Sequence, residues 1–229
     1  MKTIASQKTG QTSEEWKDAF LDIRKSKVIK YINKKRLDST GFLQRINTNA
    51  KVCDAGCGDL SLLHQLKGLG YKKLYGFDID AGLINSSSKH SLSKNNFSEI
   101  KVGSLCEIPF DNESFDAVII WGILHHLDPE DYKIVFHEVF RILKPKGELF
   151  VVEPHPYILW KVLCVIAGFL SFFSLPKTKN IYEVLSSENE LFKTFSNNRK
   201  VVGDIILKQC QQIHSKWHTG FWIFGGMRK

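Results

Sequence analysis

The stretch Lys51-Val-Cys-Asp-Ala-Gly-Cys-Gly-Asp59, followed by Gly76-Phe-Asp-Ile-Asp80, constrains this chain more than any other. Val52 to Ala55 reads as a strand. Gly56 and Gly58 then allow a sharp turn and a close approach of backbone to ligand, because neither carries a Cβ. Leu62, Leu63 and Leu66 recur at helical spacing. Strand, glycine turn and helix in that order open a nucleotide-binding α/β fold. Leu74 to Phe77 reads as the next strand. Asp78 at its carboxyl end is placed to accept hydrogen bonds from both hydroxyls of a ribose.

Two residues narrow the nucleotide. A dinucleotide fingerprint has a third glycine where this chain has Ser61, and no Lys-Ser or Lys-Thr pair follows the loop, which excludes a phosphate-cradling P-loop. Asp54 ends the first strand. Its charge would repel a pyrophosphate, and it would attract a ligand that carries an ammonium and a sulfonium. These residues point to S-adenosylmethionine (SAM).

With those residues in place, the chain resembles the class I SAM-dependent methyltransferases, in particular their small-molecule and lipid-modifying group, from about Lys51 to Pro154. Asp-Ala-Gly-Cys-Gly is similar to their first motif and Gly-Phe-Asp to their second. Ile108-Pro-Phe-Asp-Asn-Glu-Ser-Phe-Asp-Ala-Val118 is similar to the third segment and Gly122-Ile-Leu-His-His-Leu127 to the fourth. Leu143-Lys-Pro-Lys-Gly-Glu148 resembles the turn before the fifth strand. The resemblance implies a Rossmann-like, mostly parallel seven-stranded sheet flanked by helices, closed by a terminal antiparallel hairpin. It also implies a cofactor site drawn from Asp54, Gly56, Cys57, Gly58, Asp78, Ile79, Ser104, Leu105 and Trp121. The chain departs from the family pattern twice. Leu60 stands where a third glycine is frequent, and Gly103-Ser104 where Gly-Asp is frequent, leaving the Ser104 side chain or the Leu105 backbone for the adenine.

A length of 229 residues fits one α/β domain with a sizeable core. Within it, 1–49 reads as N-terminal helices, 50–154 as the cofactor-binding core, 155–180 as an apolar insertion and 181–229 as final helices and strands. The first residues carry no apolar signal region, and the five scattered cysteines suit a reducing cytoplasm. The net charge of +8 is partly concentrated in Arg24-Lys-Ser-Lys-Val-Ile-Lys-Tyr-Ile-Asn-Lys-Lys-Arg36. That run reads as a solvated helix face, as a contact for an anionic membrane surface, or as a nucleic-acid contact. No recognisable nucleic-acid module accompanies it, so nucleic acid is the least expected partner.

Glu14 to Arg36 reads as one or two amphipathic helices with Trp16, Phe20, Ile23, Val28 and Tyr31 on an apolar stripe. Further elements follow in order: a helix over 80–90 and strands over 99–103, 115–121 and 148–152. Asp128-Pro-Glu-Asp131 reads as a capped helix start. Ser187-Glu-Asn-Glu190 has the pattern of a capping box opening a short helix. Strands close the chain over 211–217 and 219–225. The insertion Tyr157 to Leu175 carries only Lys161 as a charge and falls short of a membrane span. Three readings stay open for it: a buried or dimer-forming helix, a lid over a greasy acceptor pocket, or an interfacial membrane helix flanked by Trp160, Lys161, Lys177 and Lys179.

Methyl transfer needs an acceptor held at near-attack distance and, where it has one to lose, the removal of its proton. His125 is the expected catalytic base, since an imidazole titrates near neutral pH, and the resemblance suggests Tyr31 as a partner. His126 reads as a turn residue, and His155, His214 and His218 as loop or surface histidines. Glu153 either faces the acceptor or ends its strand. No metal site is expected, because no four ligands stand at zinc spacing. The reading is a SAM-dependent methyltransferase for a small or lipid-like acceptor, methylated at oxygen, nitrogen or carbon. The alternative is a non-catalytic scaffold of the same fold, or a membrane-docking protein.

Overall fold

A computed structural model of the chain describes residues 27–89, 97–154, 157–172, 182, 186, 188–218 and 221–229. The expectations for Trp16, Phe20, Ile23, His90, His155, Phe173, Lys177, Lys179 and Ser187 lie outside the described residues. The elements are α1 (Lys27–Ser39), α2 (Phe42–Arg45), β1 (Lys51–Ala55), α3 (Ser61–Gly68), β2 (Lys73–Asp78), α4 (Ala81–Lys89), β3 (Glu99–Val102) and β4 (Phe115–Trp121). There follow two 3-10 turns (Leu124–His126 and Pro129–Asp131), α5 (Tyr132–Ile142), β5 (Leu143–Pro154), α6 (Tyr157–Phe172), α7 (Asn189–Gln209), β6 (Cys210–His218) and β7 (Phe221–Arg228).

The seven strands form one sheet in the order β3-β2-β1-β4-β5-β7-β6. Strands β1 to β5 are parallel, and β7 is antiparallel to both of its neighbours, β5 and β6, so it alone runs against the rest. This is the expected Rossmann-like sheet. A central parallel strand buried on both faces should be apolar without alternation, and β4 shows why. Ala117 and Ile119 enter the core on one side, while Val118 and Ile120 enter the core on the other. The strand order reverses between β1 and β4, and a ligand crevice lies at such a switch point, outside the carboxyl ends.

Helix α5 places Tyr132, Val135, Phe136, Val139 and Ile142 in the core, as its spacing predicts. Two local expectations are corrected. Asp128 precedes a 3-10 turn and makes no side-chain cap, because α5 itself begins only at Tyr132. The expected short helix near 190 is the 21-residue α7, in which Glu190 pairs with Lys193 one turn on.

The N-terminal stripe is also only partly apolar. Tyr31 is exposed, with the Lys35 ammonium over its ring, while Leu37 is buried. Arg36, from the basic run, lies over the Phe221 ring with its guanidinium 3.6 Å from the ring centroid. Burial pushes its pKa down to about 10. Arg36 therefore serves packing against β7 and is not part of a plain solvated face.

Helix α6 packs against α7 and turns only part of its surface inward. Ala167 is buried, and Gly168 lies against the Tyr182 ring, which a Cβ there would meet at 2.9 Å. Val162, Val165, Ile166 and Phe169 form a stripe at i, i+3, i+4 and i+7 that faces solvent, with Phe169 64% exposed. The buried-helix reading therefore fails for this face. Among the described residues, no helix is long and apolar enough to cross a membrane.

These placements give a paired prediction for stability. Phe150 is fully buried in β5, so Phe150→Ala should destabilise by about 3–5 kcal/mol. Phe169→Ser should change stability by at most about 0.5 kcal/mol, as at an ordinary surface position. Thermal and denaturant unfolding of the two variants, side by side, checks both.

Candidate active site

The turn after β1 is held to β2 by backbone: the N–H groups of Gly56 and Cys57 both donate to the Phe77 carbonyl, at 2.9 and 3.0 Å. Gly56 has φ +83°, and a Cβ there would meet the Ile123 side chain at 2.9 Å. The loop after β1 thus touches the loop after β4 across the switch point, and only glycine fits between them. Asp78 lies at the end of β2, 7% exposed. Its Oδ2 accepts the Gly58 N–H at 2.8 Å and its Oδ1 accepts the Asp80 N–H at 2.9 Å. Burial raises its pKa, against the N–H groups of Asp80 and Gly58, which hold it down. A carboxylate offers about four acceptor sites, so each oxygen keeps capacity for a hydroxyl.

The other expected cofactor residues fall around this turn in different ways. Asp54 is buried at the end of β1, level with Gly76 and Ile119. The Cys57 side chain packs where a Gly76 Cβ would otherwise sit, so only its backbone is available to a ligand. Burial and then Asp54 push the Cys57 thiol far up, which leaves it inert. Ile79 is half-buried after Asp78. Ser104 uses its Oγ to accept the Cys106 N–H at 3.1 Å, and Leu105 is buried. Trp121 ends β4, half-buried between two clusters of the core.

Leu60, at the position where the resemblance leads one to expect glycine, has φ +62° and is fully buried at the start of α3. The left-handed backbone a glycine would supply is thus kept by a leucine, at a conformational cost of about 1 kcal/mol. Packing of its side chain in the core offsets that cost.

On the other side of the switch point lies a buried ionic group. Glu153, at the end of β5, is fully buried. Its Oε1 accepts the N–H groups of Ile123 and Leu124, each at 2.8 Å, and its Oε2 lies 2.8 Å from His125 Nδ1. His125 Nε2 faces Glu188 Oε2 at 3.3 Å, and His126 Nε2 faces the same oxygen at 3.6 Å. Phe192 and the His126 ring pack against His125. Burial alone would depress the His125 pKa, but Glu153 and then Glu188 push it up to about 9. Burial likewise opposes the charge on Glu188, yet the two imidazoles hold its carboxyl below the usual range.

A charged imidazole has no lone pair to accept a proton, so this environment does not favour a simple general base at His125. Tyr31 is exposed, whereas the groups around the His125 ring are Glu153, Glu188, His126 and Phe192. The expected tyrosine partner is thus replaced by carboxylates. His214 is drawn elsewhere: its ring contacts the Thr40 carbonyl and Arg45, and Arg45 pairs with Glu148 in the middle of β5. It ties α2 to the sheet. His218 sits half-buried at the end of β6. Glu188, which the sequence did not single out, is 63 residues from His125 (188 − 125), and only folding shows that the two meet.

Residues 53–151 match the family described as a methyltransferase domain. That match covers the glycine turn, Asp78 and the β4 loop. The core of this chain, residues 53–151, is thus a methyltransferase domain. Among its relatives, the demethylmenaquinone methyltransferase of Bacillus subtilis is 29% identical over 125 residues, 53% of this chain and 52% of that one. The tRNA (carboxymethyluridine(34)-5-O)-methyltransferase of Arabidopsis thaliana is 32% identical over 108 residues, 46% of this chain and 24% of the other. The chain therefore spans about half the length, or less, of these curated relatives. The plantazolicin methyltransferase BpumL, solved in complex with SAH, superposes with a TM-score of 0.68 over 97% of this chain and 93% of its own, at 10% identity, a likeness of fold.

The residues present fit the cofactor of this methyltransferase class. Asp78 would take the ribose diol, and the Gly56–Gly58 turn and Asp54 the methionine end. Asp78→Ala should weaken SAM at least about tenfold, since a hydrogen bond to a charged group contributes about 1.5–3 kcal/mol. Gly56→Val should abolish binding, because Ile123 and the positive φ leave its side chain no room. Titration calorimetry with SAM reads both; unchanged affinity in a folded Asp78→Ala variant would remove Asp78 from the site.

Proposed function

We propose that this methyltransferase moves the methyl group of SAM to a small or lipid-like acceptor that is engaged beside His125, at the carboxyl ends of β4 and β5, and that it works at an anionic membrane surface. The observation that carries the acceptor site is the His125–Glu153 pair. A buried carboxylate that also binds two backbone N–H groups fixes the imidazole next to the loop that touches Gly56. A side chain held in one orientation within the loop that follows β4 is what acceptor positioning requires.

A lipid-like acceptor is favoured by the exposed apolar stripe of α6, in the insertion that follows the acceptor strand β5. The name of the Bacillus subtilis relative is that of an enzyme for a quinone, and the net charge of +8 suits anionic lipid. Other relatives are named for tRNA, which makes tRNA the control substrate.

Incubation of the full chain with SAM and demethylmenaquinone, chemically reduced to its quinol, in anionic vesicles should give a methylated product, with no methylation of tRNA. His125→Ala should lower turnover by about 10²-fold, through lost positioning of the acceptor, with SAM affinity nearly intact. Equal losses in both would make the histidine structural, and methylated tRNA alone would overturn the acceptor reading.

Membrane attachment has its own test. Each stripe residue that inserts should contribute about 1–2 kcal/mol, and each basic residue near the surface about 1 kcal/mol, falling with salt. The chain should co-sediment with anionic vesicles more than with neutral ones, and Val165→Ser with Phe169→Ser should release it without loss of folding. Equal sedimentation of parent and double variant would refute the role of the stripe.

A further inference from the structure

We propose that His125, His126 and Glu188 form a binding site for one divalent transition-metal ion of the zinc class, with Glu153 as the carboxylate that orients His125 towards it. The inference deepens the acceptor reading above and rests on it only for the ion's use, not for its binding.

The geometry is that of ligands converging on a point. His125 and His126 are adjacent in one 3-10 turn, and both turn an Nε2 to the same Glu188 oxygen, at 3.3 and 3.6 Å. One donor atom from each of the three residues lies within 4.8 Å of the other two. Ligands about 2.0–2.1 Å from a tetrahedral zinc stand about 3.3–3.4 Å from one another, and the two spacings to Glu188 Oε2 are already close to that.

Glu188 Oε2 is buried, and its contacts to the two imidazole nitrogens, at 3.3 and 3.6 Å, fall short of well-formed hydrogen bonds. A buried carboxylate oxygen left in that state is costly, and an ion between the three atoms would satisfy it. The arrangement beyond the ligands points the same way. A metal-bound histidine nearly always donates its other ring N–H to a carboxylate or carbonyl, and His125 Nδ1 has the Glu153 carboxylate at 2.8 Å. The charge also balances: one divalent cation with two neutral imidazoles neutralises Glu153 and Glu188.

Two imidazoles and a carboxylate select zinc, iron, cobalt or manganese over calcium or magnesium. Three protein ligands leave the remaining position to water or to an acceptor oxygen. An acceptor hydroxyl bound there would release its proton to solvent more readily. The resulting oxyanion would attack the methyl carbon of SAM as the S–CH3 bond breaks. The sulfur would keep the electron pair, leaving methylated acceptor and neutral S-adenosylhomocysteine.

Binding is read without any acceptor or turnover, so its failure is separate from failure of the methyltransferase reading. Full-length chain stripped with chelator should take up one equivalent of Zn2+ by calorimetry and by metal analysis after gel filtration. Co2+ should give the visible absorption of a four-coordinate nitrogen and oxygen site. Glu188→Gln and His126→Ala should each weaken Zn2+ at least tenfold, and Glu153→Gln by about 10–100-fold. His137→Ala, on an exposed histidine, should change nothing. The proposal is overturned if no stoichiometric ion is taken up. It is equally overturned if the Glu188 and His126 variants, folded by circular dichroism, bind as the parent does; the cluster is then an ion pair alone.

Discussion

The β4–β5 side of the crevice depends on one buried charge. Glu153 is removed from solvent altogether, yet its carboxylate is fully engaged by two backbone N–H groups and an imidazole. A buried carboxylate is tolerated only when it is paired and hydrogen-bonded in this way. The same three contacts set the path of the chain after β4. That path places Ile123 against the glycine turn of β1, and so links the two halves of the crevice. Removing the carboxylate would leave two orphan N–H groups and an imidazole with one fewer counter-charge, so its influence reaches both the cofactor turn and the β4–β5 side.

The cofactor half of the site was legible in the sequence because its parts are local. The glycine turn, Asp78 and the strands around them obey short-range rules: no Cβ at the turn, an acid at a strand end, and an unbroken apolar run in β4. The cluster around His125 was legible only in fragments. His125 could be picked out by its place after β4, but its partners could not. Glu153 looked equally like a strand terminator, and Glu188 like part of a capping box. What joins the three is the pairing of β4 with β5 and the start of α7, and neither leaves a spacing rule in the chain. The pKa expectation for His125 followed the isolated imidazole and missed the two carboxylates that reset it.

Leu60 makes a related point about motifs. It stands where the resemblance leads one to expect glycine. The backbone keeps the left-handed turn regardless, and the leucine side chain lies in the core. A motif glycine marks a required conformation, and a buried hydrophobe can hold that conformation when packing outweighs the strain. Arg36 teaches the converse: a residue counted among surface charges is in fact stacked on Phe221.

The two borders of the sheet bear on how copies of this protein meet. One border, β3, is only four residues long. The other, β6, is interrupted by a bulge between Gln211 and His214, where Gln212 takes φ +51°, and it carries Lys216. Short, kinked and charged borders resist the addition of a foreign strand. Crowded copies of this protein therefore have little means of polymerising through their sheets, and any clustering would begin at the greasy flank of α6.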